Sequence, residues 1–297
     1  MVELSAAVRL QYQERNRLFQ QRAIALGRRE MVNYVWYHTI DLGNGLVTPG
    51  AYDYRNSWPL FSFPQDLQGK SVLDIGSATG FFAFEFEKRG AKVTSVELPS
   101  LTQLDRFPGQ TTDELVLKIQ RMHYPRAESS RKTRERIYSA PELYRLLLDG
   151  PFTLSHKLLR SRVKRCYSSV YDLTLKKVRA KKAFDIVFLG DVLIHTISPL
   201  QALAAIAPVC KGMLIISQVM DVDSSRPSME YVGGSTLDDE ISWWRPNKAM
   251  FTDVLRKLGF ARVEQAGVNC GYLQHEGFWF ERPVIHASRP HSTKLAK

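Results

Sequence analysis

Asp74, Gly76, Gly80 and Glu97 are the residues of this chain whose types and spacing could do chemistry. Asp74 to Gly80 reads D-x-G-x-x-x-G, between an apolar run, Val72 to Ile75, and a helix-forming stretch, Phe81 to Arg89. Glycines at such a turn let the backbone approach a ligand closely. A second run, Lys92 to Glu97, closes on a carboxylate that could accept hydrogen bonds from both hydroxyls of a ribose. The unit is strand, loop, helix, strand, and nucleotide-like cofactors suit it. It lacks the G-x-G-x-x-G spacing that seats a pyrophosphate on a helix N-terminus.

The run from Ser71 to Leu98 resembles the first motif of the Rossmann-like S-adenosylmethionine-dependent methyltransferases. The resemblance implies S-adenosylmethionine as cofactor. It places Asp74 near the methionine portion, Gly76, Ser77, Ala78 and Gly80 beside the cofactor, and Glu97 with Leu98 at the ribose. It adds Gly190 and Asp191 at the end of a fourth strand, Tyr171 as a wall of the adenine ring, and Asp172 against the adenine amino group. Asp172 could equally cap the following turn. Within the class, Trp36 to Leu42, Thr48-Pro49-Gly50, Gly69 to Gly76, and Gly190 to His195 with Ser198-Pro199-Leu200 look like the branch that includes the tRNA wobble-uridine carboxymethyltransferase. That enzyme's carboxylated cofactor implies a tyrosine where Ile194 stands and a lysine upstream of the first strand, where none precedes Lys70. Arg282 alone would meet the extra carboxylate, so the ordinary cofactor is expected.

To position these residues the resemblance implies an α/β fold, a Rossmann-like seven-stranded mostly parallel sheet with helices on both faces. Further strands are expected over 163–170, 183–190, 211–219, 261–268 and 278–286, with helices over 199–207 and 245–258. Residues 1–60 read as an N-terminal helical extension and substrate-covering segment, with a charged amphipathic helix over 4–21 that covers the pocket or serves a dimer contact. Residues 61–290 read as the methyltransferase domain and 291–297 as a flexible tail. About sixty-five residues separate the second and third strands, far more than a compact connection needs. Leu101 to Gly150 is therefore a helical insertion at the rim of the cofactor crevice, acting as a lid or as a surface extension.

Trp36, Tyr37, Trp243, Trp244 and Arg245 are the substrate-facing candidates, Arg245 as a clamp for a carboxylate; the tryptophans could equally be packing residues. His195, with His38 in reserve, could take a proton from an attacking hydroxyl or nitrogen, the rival role being a core histidine.

At 297 residues, 44% apolar and 11% aromatic, the chain can bury a sizeable core. It holds no apolar run of about eighteen residues and no signal-peptide pattern at its start, so a cytoplasmic protein without membrane partners is expected. Cys166, Cys210 and Cys270 fit reduced packing residues, and no metal site is expected. The net charge is +11, and residues 151–182 carry ten basic residues against Asp172 alone. That density could hold phosphates, an acidic metabolite, or nothing but water. The expected partner is a small-molecule acceptor, methylated on O or N. A tRNA acceptor, a homo-oligomer and a non-catalytic, cofactor-binding interaction subunit are the alternatives.

Overall fold

The computed structural model describes residues 2–123, 137–221, 225–237 and 241–290. Its sheet contains β1 (Ser71–Ile75), β2 (Lys92–Glu97), β3 (Lys164–Tyr167), β4 (Phe184–Gly190) and β5 (Cys210–Ser217), all parallel where they pair. A two-stranded ribbon, β6 (Met229–Tyr231) and β7 (Trp244–Pro246), stands apart, and a long hairpin, β8 (Arg262–Leu273) and β9 (Phe278–Ser288), completes the sheet. The order is β3-β2-β1-β4-β5-β9-β8, with β9 antiparallel to both neighbours. The chain reverses its direction of winding between β1 and β4. In open α/β sheets a crevice forms there, at the carboxyl ends of the strands. Ile75 pairs with both Val96 and Leu189, so Glu97 and Gly190 lie level with the start of the glycine loop.

The central strands are nearly continuous apolar runs because both faces are covered. One face packs against α2 (Phe81–Lys88), which turns Phe81, Phe82, Phe84 and Phe86 inward together with Phe61, Phe63 and Phe188. The other packs against α6 (Pro199–Ile206) and α7 (Lys248–Lys257) through Leu203, Ile206, Phe251 and Leu255. Helix α7 starts later than the sequence suggests. Arg245 and Pro246 are held extended in β7, and Asn247 caps the helix by accepting the Met250 N–H at 2.8 Å.

Between β2 and β3 lie α3 (Thr112–His123), α4 (Ala140–Tyr144), a π-helical turn (Arg145–Asp149) and α5 (Gly150–Leu158). Ser139 and Glu142 form a capping box at the start of α4. The N-terminal α1 (Val2–Ala25) runs beside the β8–β9 turn, where Arg9 donates to the Glu276 carbonyl at 3.1 Å and Tyr12 meets His275. The expected amphipathic pattern is absent: Phe19 and Ala23 are buried, whereas Leu4, Leu10 and Leu18 are exposed. Among the described side chains of α1 none lines the crevice. Among the described residues no helix is long and apolar enough to cross a membrane, and no side-chain cluster could hold a metal.

Candidate active site

A cleft of about 260 Å³ opens at the carboxyl ends of β1, β2 and β4. Its floor is the loop after β1. Gly76 has φ +70° and Gly80 φ +96°, both in the left-handed region that glycine tolerates. A side chain at Gly76 would come within 2.5 Å of the Val192 methyl, and one at Gly80 within 2.8 Å of the Phe152 ring. Ala78 between them also holds a positive φ, +46°, a costlier conformation for a residue with a Cβ.

Glu97 fixes that loop. One carboxylate oxygen accepts the Ala78 N–H and the other accepts the Leu98 N–H, each at 2.9 Å. Each oxygen keeps a further lone pair, and the side chain lines the cleft. Asp74 lies deeper, 1% exposed, and Oδ2 has no partner. Burial pushes its carboxyl up to about 7, against the pull of the Arg165 guanidinium. Beside it is a second cavity of about 30 Å³, room for about one water, lined also by Tyr37, His38, Tyr54 and Asp191.

His195 lines the cleft from the turn after β4, its Nδ1 3.0 Å from the Ile241 carbonyl. A carbonyl can only accept, so Nδ1 carries the proton and the lone pair of a neutral ring sits on Nε2. His38 is 4% exposed, ringed by Tyr37, Tyr54, Phe81 and Phe82, and its Nδ1 meets the Thr79 hydroxyl at 3.1 Å. Burial pulls its imidazole down to about 3. It borders the small cavity rather than the cleft.

The cleft brings together Gly76, Ala78, Glu97, Leu98, Tyr171, Gly190, Asp191, His195 and Tyr37 of the residues expected from the sequence. Others lie elsewhere. Ser77 turns its hydroxyl to Ser95 at 2.6 Å and receives a hydrogen bond from Arg165. Asp172 is exposed and lines no described cavity, because β3 ends at Tyr167 and the following short turn carries Ser168 to Tyr171 past the cleft instead. Trp36 is a core residue: its indole N–H donates to the Met31 carbonyl and its ring packs on Phe19. Trp243 is buried away from the cleft, Trp244 donates to the Ile197 carbonyl at 2.9 Å, and Arg245 pairs with Glu230. Arg245 therefore has its carboxylate already, supplied by the facing strand β6.

The sequence did not single out Asp105, Arg165 or the apolar wall. Asp105 Oδ2 accepts the Ile197 N–H at 2.6 Å and the Tyr171 hydroxyl, and Tyr171 in turn accepts the Ser198 N–H at 3.2 Å. The Arg165 guanidinium stacks 3.9 Å above the Phe152 ring while holding Ser77 and Ser95. Leu115 and Ile119 of α3 and Leu147 and Leu148 of the π-helical turn roof the cleft. Arg282 donates from Nε to both oxygens of Asp191, at 3.0 and 2.9 Å, and is committed to that pair.

These groups fit an adenosine-bearing cationic cofactor. The chemistry of the donor set suits a ribose at Glu97, and the unpartnered Asp74 oxygen offers an acceptor to an ammonium.

Comparison with known proteins agrees with the geometry. The family model described as a methyltransferase domain matches residues 52–265. No curated protein matches. Among solved structures, the N-terminal domain of EvdMO1 with S-adenosylhomocysteine bound superposes with a TM-score of 0.52 at 13% identity, covering 91% of this chain and 97% of that one. The 1,6-didemethyltoxoflavin-N1-methyltransferase of Burkholderia thailandensis gives 0.45 at 15% identity, covering 79% and 78%. The magnesium protoporphyrin IX methyltransferase of Synechocystis PCC 6803 gives 0.40 at 14%, covering 75% and 72%. The finer likeness to the tRNA wobble-uridine branch gains no support from these matches. The chain belongs to the methyltransferase-domain family, Rossmann-like enzymes that take their methyl group from S-adenosylmethionine.

Proposed function

We propose that this chain methylates an oxygen or nitrogen atom of a small molecule, with His195 as the general base. The observation that carries the reading is that one cleft gathers the glycine loop, Glu97 and a histidine whose Nδ1 is tied to the Ile241 carbonyl. S-adenosylmethionine supplies an already activated methyl group, which leaves the protein to position the acceptor and take its proton. Glu97 would hold the ribose hydroxyls, Asp74 the amino end of the methionine, and Ser168 to Tyr171 would wall the base. Tied to Ile241, His195 keeps Nε2 as the atom that accepts the proton. His38, held neutral down to about pH 3, is the poorer base. The apolar roof excludes water from the transfer.

A small-molecule acceptor fits the surroundings better than tRNA, since none of the basic residues of 151–182 lines the cleft. EvdMO1, crystallised with S-adenosylhomocysteine and D-fucose, gives a precedent within the fold. Incubation with methyl-tritiated S-adenosylmethionine, a panel of phenolic and amine metabolites, and bulk tRNA tests the reading. Label is expected in a small-molecule product, and label in RNA contradicts it. For that product His195→Ala should lower turnover about a hundredfold to ten-thousandfold with cofactor affinity kept. Undiminished turnover removes His195 as the base.

A further inference from the structure

The insertion builds an apolar core of its own from Leu101, Leu115, Val116, Ile119, Leu143 and Leu147. That core is open on one side, and the open side is the cleft. Leu115 and Ile119, 1% and 3% exposed, belong both to the packed cluster and to the cleft wall, and Val35, Leu147, Leu148 and Ile241 continue the same surface. The strand ends and the turn after β3 supply a cofactor's contacts, which leaves for an acceptor a mainly hydrocarbon wall with a few polar side chains, Tyr37, Gln103, His123 and His195 among them.

The carboxylates nearby are already engaged: Glu97 by two backbone N–H groups, Asp105 by Tyr171 and Ile197, and Asp191 by Arg282. Among the described residues no lysine or arginine lines the cleft, and of its two histidines His195 is tied to the Ile241 carbonyl while burial lowers the proton affinity of His123. An anionic group brought there would lose its water and meet carboxylates instead of a cation, a large uncompensated cost. An apolar ring or chain would gain by the same desolvation, as in pockets lined mainly by hydrophobic side chains with few polar groups.

We infer that the methyl acceptor is an uncharged, largely apolar molecule that completes the insertion's core from the cleft side and presents one hydroxyl or N–H to His195. The inference rests on the reading of this cleft as a methyl-transfer site. It assigns the insertion a role in choosing the acceptor, with Leu148 and Ile241 as specificity-determining residues on two sides of the wall.

The test uses the full chain loaded with S-adenosylhomocysteine, whose own binding is measured first. Calorimetric titrations then compare 2-naphthol with 6-hydroxy-2-naphthoate, which share the rings and the hydroxyl and differ by one carboxylate. The neutral compound should bind at least about tenfold more tightly, and Leu148→Arg should erase most of that preference while the affinity for S-adenosylhomocysteine stays the same. If Leu148→Arg does not fold, Ile241→Arg on the same wall replaces it. Equal binding, tighter binding of the carboxylate, or binding of neither compound overturns the inference. Failure of S-adenosylhomocysteine itself to bind defeats the methyltransferase reading instead, so the two failures are distinguishable.

Discussion

Asp74 and His38 border the same small cavity, and the same burial moves their titrations in opposite directions. Burial disfavours charge on both, so the carboxyl rises to about 7 and the imidazole falls to about 3. Their effects on stability have opposite signs. Asp74 keeps in the folded state a proton that the unfolded chain gives up near 3.8, so its contribution is complete below that value and is lost as pH rises towards about 7. His38 refuses a proton that the unfolded chain takes up near 6.5, so its contribution is complete above that value and is lost as pH falls towards about 3. The total stability of the protein hides both. Single substitutions separate them: in urea unfolding of the unliganded protein, Asp74→Asn should gain on the wild type steadily from about pH 4 to 7 and then level off. His38→Asn should gain as pH falls below about 6.5. A gap independent of pH for either variant contradicts the burial given to that residue.

At the scale of elements, polar links hold the insertion to the sheet: Tyr144 donates to the Leu98 carbonyl, Asp149 accepts from Tyr167, and beside the cleft there is also Asp105. Its carboxylate ties the segment ahead of α3 to the turn after β3 and to the loop before α6, through Tyr171 and Ile197. We propose that this tie retains the bound cofactor. Asp105→Asn and Tyr171→Phe should each speed release of S-adenosylhomocysteine about tenfold in stopped-flow measurements, the loss of one charge-assisted hydrogen bond. Because the two side chains act as a unit, the double variant should be little worse than either single one. Additive effects, or unchanged release, contradict the tie. The helical character of Leu101 to Gly150 is legible in the sequence, whereas the π-helical turn is not. A π turn closes i to i+5 and shifts the facing of the side chains, so ordinary helical spacing does not tell which leucines reach the cleft. The start of α7 is likewise set by contacts that helical composition does not reveal. Pairing of β7 with β6 overrides the helical composition that follows Arg245.

Across the whole molecule, what could be read from the sequence was what depends on neighbours along the chain. The spacing from Asp74 to Glu97 fixes a loop and two strands within a few turns of chain, and the buried strands β4 and β5 announce themselves as apolar runs. What depended on distant contacts was not legible: that Met31 and Phe19 draw Trp36 into the core, that Glu230 claims Arg245, or that an early end to β3 leaves Asp172 in solvent. The charge of +11 likewise says little about the site, since the described basic residues lie outside the cleft. The central claim is that this cleft holds the cofactor's ribose through Glu97. Calorimetry with S-adenosylhomocysteine on the wild type, Glu97→Ala and Asp172→Ala tests it most directly. Glu97→Ala should cost about 1.5–3 kcal/mol, roughly a tenfold to hundredfold loss of affinity, and Asp172→Ala should cost nothing measurable. Unchanged binding by Glu97→Ala in a folded protein, or a comparable loss in Asp172→Ala, would contradict the account.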